Sequence, residues 1–209
     1  MITITVVAIL GALLALVLME LFKKPKAPAA PVEDLANLKA SDARIGDSIS
    51  ISGVGDNMTD LDFTAESCTW IETGSRRWFE LTGPYKERRV TLRVDASGDD
   101  LEVSVHVDPR KLTIEDLGLS EDDLGQMDER QNTGDSFEFD GKVWLYRLSR
   151  EAHATRNNLP QLRGFYYWEF REENGPGLLE VRKEQNEPFA VTYYQGIAPG
   201  DVTVYRGRG

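Results

Sequence analysis

A single cysteine, Cys68, and two histidines, His106 and His153, are all that this chain of 209 residues offers a soft metal. One cysteine forms no intramolecular disulfide, and three donors this scattered lack the clustered spacing of a zinc site. The chain has no G-x-S-x-G elbow for a nucleophilic serine, and the short tract "GVGD" at residue 53 lacks the length and the lysine of a phosphate loop. The acidic run "SEDDLGQMDE" supplies carboxylates without the spacing of a calcium loop and reads as a solvated helix face. Basic residues are scarce as well: beyond the first 26 residues, 21 basic groups stand against 34 acidic ones, a balance of −13. A body so acidic is repelled by nucleic acid and by anionic lipid, which excludes polyanion binding as its main task. No catalytic, cofactor-binding or metal residue is assigned on these grounds, and the expected activity is not enzymatic.

Charge is also scarce in the first 22 residues. Between Ile2 and Phe22 only Glu20 is charged, and Val6 to Met19 is an unbroken apolar or small run. As a helix rising about 1.5 Å per residue it is roughly 30 Å long, the thickness of a bilayer core. Basic residues do not precede it in "MITIT", as a cleaved signal peptide requires; Lys23, Lys24 and Lys26 follow it instead. Residues 1–22 are therefore expected to be a transmembrane helix, with residues 2–22 in the lipid bilayer. Basic flanks stay on the cytoplasmic side, which places the amino terminus outside and the rest of the chain in the cytoplasm. A cleaved leader and a buried core helix are the competing readings. Residues 23–41 form a basic, Pro/Ala-rich juxtamembrane linker, "KKPKAPAAP" being a semi-rigid spacer, with a short helix over Glu33 to Ala40.

From Ile45 onward the hydrophobic period is two. "TDLDFT", "RVTLRVD", "LEVSVHVD", "SFEFDG", "KVWLYRL", "GLLEVRK", "FAVTYY" and "DVTVYRG" alternate, and turn chemistry such as "ASGDD", "ENGPG" and "APGD" separates them. The pattern breaks only at residues 113–133, where two short helices are expected, 113–117 and 121–130, the second opened by a capping box of Ser120 and Asp123. Around this connector the chain echoes itself. "GDSISISG" at 46 meets "GDSFEFDG" at 134, "RWFEL" at 77 meets "YWEF" at 167, "TLRV" at 91 meets "LLEV" at 178, and "LEVSV" at 101 meets "FAVTY" at 189, with offsets of 87 to 90. Four echoes in one order indicate an internal repeat. The expected fold class is mainly β: two similar antiparallel modules, 42–112 and 134–209, packed as one pseudo-symmetric body because an isolated small sheet leaves unpaired edges. Trp70, Trp78, Trp144 and Trp168 are expected to fill much of its core.

The second copy, through Gly134, Asp135, Gly141, Trp168, Glu169, Phe170, Leu179 and Val181, resembles a family of bacterial proteins known only as a domain of unknown function. The first copy carries Gly46, Asp47, Gly53, Trp78, Glu80 and Leu81 at the matching places. The resemblance spans roughly residues 42–205 and implies a β-rich accessory protein, of a kind encoded beside membrane-stress and polyamine-related genes, with no established activity.

One strand stands out for function. In "RGFYYWEFREENG", Phe165, Tyr167, Glu169 and Arg171 share one face, and Tyr166, Trp168 and Phe170 share the other. Aromatics and arginine are enriched in interface cores, so the first face is the candidate interaction face; the alternative is a core strand with a charged rim. The leading expectation is a membrane-anchored adaptor or scaffold that binds a protein partner through this face. A sensor for a small cationic ligand such as a polyamine, held by carboxylates and aromatic faces, is the alternative. An enzyme with an unrecognised site is the third.

Overall fold

Among the described residues, alternation becomes twelve antiparallel strands. The structure, a computed structural model, describes residues 34–157, 159 and 162–207. The expected membrane helix lies outside the described residues, among which no helix is long and apolar enough to cross a membrane. The strands are β1 (Ser48–Ile51), β2 (Leu61–Thr64), β3 (Ser67–Thr73), β4 (Arg76–Tyr85), β5 (Arg88–Asp95) and β6 (Glu102–His106) in the first half. After a helix, α1 (Glu121–Arg130), come β7 (Ser136–Phe139), β8 (Lys142–Arg156), β9 (Leu162–Glu172), β10 (Gly177–Glu184), β11 (Ala190–Ile197) and β12 (Val202–Tyr205).

Eight strands close into a barrel in the order β3, β4, β5, β6, β11, β10, β9, β8, and β8 returns to β3 through pairs running from Thr69 with Arg156 to Glu72 with His153. Strand β7 adds to the start of β8, and a separate sheet is ordered β12, β1, β2. The stretches 42–112 and 134–209 thus build one barrel between them, each contributing four strands, and β12 from the second stretch pairs with β1 of the first.

The barrel carries apolar residues on its outside. Phe79, Leu81, Leu92 and Val105 pack beneath the small sheet, against Ile49, Leu61, Phe63 and Val204. On the second half Phe170, Leu179 and Val181 pack against Leu117, Leu124 and Met127 of the helical connector. The connector is tied down further where the Trp168 indole donates to the Leu124 carbonyl at 3.0 Å and the Tyr166 hydroxyl donates to Asp128 at 2.6 Å. Trp78, Trp144 and Trp168 are buried, with Trp70 partly so.

Helix α1 spans the expected residues: the Ser120 hydroxyl accepts the Asp123 amide and the Asp123 carboxylate accepts the Ser120 amide. Two expected helices are corrected. Residues 113–117 form hydrogen-bonded turns held by Asp116 on the Thr113 amide, and Gly118, at φ +70°, ends them after one turn. Over the expected Glu33–Ala40 helix, the described residues 34–39 show only turns and bends, followed by a short 3-10 turn, Ala40–Asp42. Leu35 is exposed while Ala40 is buried, so the segment has no apolar stripe to stabilise a longer helix.

Candidate functional site

Because apolar side chains occupy the outer face of β4, β5, β9 and β10, the alternate residues face the lumen, and these are charged. The contacts prove it. In an eight-membered ring β4 and β10 are diametrically opposite, as are β5 and β9, yet Arg182 on β10 donates to Glu80 on β4 at 2.5 Å, and Arg93 on β5 lies 3.6 Å from Glu169 on β9. Only a path through the lumen joins them. The interior combines Ile71, Trp78, Phe165 and Tyr167 with an ion network of Arg76, Arg93, Arg171 and Arg182 against Glu80, Asp95, Glu169 and Glu180. Eight-stranded barrels are narrow enough for side chains to fill, and here the filling is largely ionic.

At one end the β3–β4 turn, the β5–β6 loop and the β9–β10 turn surround a cavity of about 680 Å³. Its carboxylates are Asp95, Asp100, Glu102, Glu169 and Glu172, and its guanidiniums are Arg76, Arg147 and Arg171. On its floor Arg76 donates to Asp95 at 2.7 Å and to Glu169 at 2.8 Å, while Arg171 donates to Glu169 at 3.1 Å and to Glu102 at 2.6 Å. Burial by itself raises the Asp95 and Glu169 carboxyls. The Ser97 hydrogen bonds and Arg76 outweigh it at Asp95, and Arg93, Arg76 and Arg171 outweigh it at Glu169, so both carboxyls sit below their ordinary range and are anionic at neutral pH. Glu80 is held below its ordinary value in the same way, with Arg182 overcoming burial. Burial, and then the charge of Glu169, pushes the Tyr167 hydroxyl up to about 12. At the other end a smaller cavity of about 360 Å³ is lined by Arg156, Arg163, Arg182 and Glu184 with hydroxyls of Ser67 and Thr69.

The candidate interaction face is corrected in position. Phe165, Tyr167 and Glu169 are 7%, 0% and 3% exposed and point into the lumen, and only Arg171 reaches the cavity rim half-buried. The face is shared as expected, but closure of the barrel encloses it. Sequence reasoning misses their lumen partners Arg76, Glu80, Arg93, Asp95 and Arg182, because alternation ordinarily turns charged residues outward. A signal was available: Glu80 and Glu169 occupy matching places in the two halves, each directly preceded by an aromatic.

The other sequence candidates fall elsewhere. The imidazole of His106 faces the Tyr193 carbonyl at 2.9 Å and the Tyr194 ring at 5.9 Å. His153 lies on β8 opposite Glu72 and Gly164. Cys68 is half-buried, and burial raises its thiol to about 11. No group of three or more His, Cys, Asp or Glu placed to hold a metal occurs among the described residues. Comparison with protein-family models, curated proteins and solved structures returned no match to this chain.

Proposed function

We propose that this chain is a membrane-anchored binding protein whose barrel takes a small ammonium-bearing ligand, of which a polyamine is the simplest kind, at the acidic mouth of its lumen. The observation that carries this reading is the cavity of about 680 Å³ with five carboxylates to three guanidiniums, two of the carboxylates fixed as anions at its floor. Cavities of this size suit small ligands, and rigid, pre-paired groups lose little entropy on binding. The adaptor reading keeps its anchor, spacer and globular body but loses the face named for it, because Phe165, Tyr167 and Glu169 are enclosed. The anchor at residues 2–22 and a cytoplasmic barrel rest on the apolar run and the lysines behind it. A duplicated origin is part of the proposal: the four echoed segments lie on β1 and β7, β4 and β9, β5 and β10, and β6 and β11, in the same serial order.

The test is calorimetric titration of the full chain in detergent micelles with putrescine. Saturable binding that weakens about tenfold when Asp100→Asn and Glu102→Gln are combined, and that falls as salt rises, is the expected result. Absence of binding to the folded chain overturns the reading.

A further inference from the structure

Two charged side chains at the acidic mouth are left over from its network. Along β8 and β9 the register passes from Tyr146 opposite Phe170 to Leu148 opposite Glu169, which leaves Arg147 as the extra residue of a β-bulge. A bulge takes its side chain out of the regular alternation. Here it delivers Arg147 to the cavity wall beside Glu169, Arg171 and Glu172. Arg76 and Arg171, the other two guanidiniums of the cavity, are each bonded to two carboxylates, whereas Arg147 is exposed and has no hydrogen bond or ion pair among the described residues. Across the mouth Asp100, on the β5–β6 loop, is likewise exposed and unpartnered among the described residues.

A second, independent feature lies beneath. Arg93 is 1% exposed, and its Nε and Nη2 have no hydrogen-bond acceptor; the hydroxyl of the fully buried Tyr167 has none either. Nη2 of Arg93 lies 3.7 Å from Asp95 and 3.6 Å from Glu169, the two carboxylates on the cavity floor. Buried donors without acceptors are costly, and these lie in the lumen beneath the cavity, next to its floor carboxylates and not among its lining residues. Net charge points the same way. Arg147 and Asp100, the two charges left over at the mouth, are one of each sign, and a ligand that carries both signs meets both.

We infer that the ligand is a small zwitterion, an ammonium and a carboxylate on one short chain, with Arg147 holding its anionic end and Asp100 and Glu102 its cationic end. This rests on the ammonium-binding reading above and adds the second group. Three probes of similar length separate the two ideas: putrescine with two ammoniums, 4-aminobutanoate with one of each charge, and succinate with two carboxylates, each titrated into the full chain in micelles. 4-Aminobutanoate is expected to bind about tenfold tighter than putrescine, and Arg147→Gln to weaken it about tenfold while putrescine, which loses only a repelling charge, is not weakened and the melting temperature holds. Arg147→Lys, which keeps the charge, is expected to recover part of the loss. Tighter binding of putrescine with indifference to Arg147→Gln overturns the zwitterion and leaves the ammonium site standing. Preference for succinate, or no binding by any probe, overturns both.

Discussion

Glu169 is enclosed between Arg76, Arg93 and Arg171, and the three guanidiniums make its ionised form the stable one in spite of burial. Taking the charge away leaves the buried Arg93 and the half-buried Arg76 and Arg171 each short of a partner, and breaking a buried pair from one side typically costs about 3–5 kcal/mol. Glu169→Gln is expected to lower stability by about that much in urea denaturation followed by tryptophan fluorescence; a loss below about 1 kcal/mol would place Glu169 outside the folding network. The same groups set the acid limit. Asp95, Glu80 and Glu169 have folded values below their ordinary 3.8 and 4.5, so at low pH the unfolded chain binds more protons than the folded one. Their stabilisation is complete above those ordinary values and is lost as pH falls through the lower folded ones. The urea midpoint should therefore hold from pH 7 to about 5 and drop below about 4; a midpoint that rises on acidification contradicts the network. The pairing of Phe165, Tyr167, Glu169 and Arg171 on one face was legible in the sequence, since period two is a property of the strand alone. Which side of the sheet that face lies on was not.

At the scale of elements, local chemistry placed most boundaries. The Ser120 and Asp123 spacing marks the start of α1, and both "GD" pairs open turns whose aspartates are bonded to arginines, Asp47 to Arg206 and Asp135 to Arg130. The Glu33–Ala40 and 113–117 helices failed because cap-like residues and acidic first turns do not make a helix that has no apolar stripe to bury. Strand β4 shows a constraint that alternation does not record. At Gly83 a methyl group would collide with the Thr64 carbonyl and the Phe63 ring, so the end of β4 approaches β2 more closely than any side chain allows. Gly83→Ala is expected to cost about 1–3 kcal/mol through overpacking, measured by the shift in the urea midpoint. An unchanged midpoint would mean that the small sheet is free to move off the barrel. Strand β8 is long because it serves two partners in succession: β7 along its first residues and β3 along its last.

At the scale of the whole molecule, closure decides stability. Each half supplies four barrel strands, and separation would expose two long strand edges on each and split the Glu80–Arg182 and Arg76–Glu169 pairs. Residues 34–112 and 113–209, produced apart, are expected to be unfolded or aggregated and to lack the dispersed amide NMR spectrum of a folded domain. A cooperative unfolding transition in either half alone would show that the modules are independent. Closure also explains why the mouth is a site: loops and turns from both halves meet there, so Asp100 and Arg147, 47 positions apart, share one cavity.

The mainly β class, the places of the turns, the start of α1 and the residues that share a strand face were all legible in the sequence. All of these depend on interactions among near neighbours, and period and turn chemistry report them directly. Which face is enclosed depends on how the barrel closes. Alternation creates two faces without saying which is inside, and the usual assumption places the apolar one there. Here satellite elements cover the apolar face, and the charged face is enclosed because its groups are compensated by partners far away in sequence, 93 residues for Arg76 with Glu169 and 102 for Glu80 with Arg182. Compensation over that distance exists only once the barrel has closed.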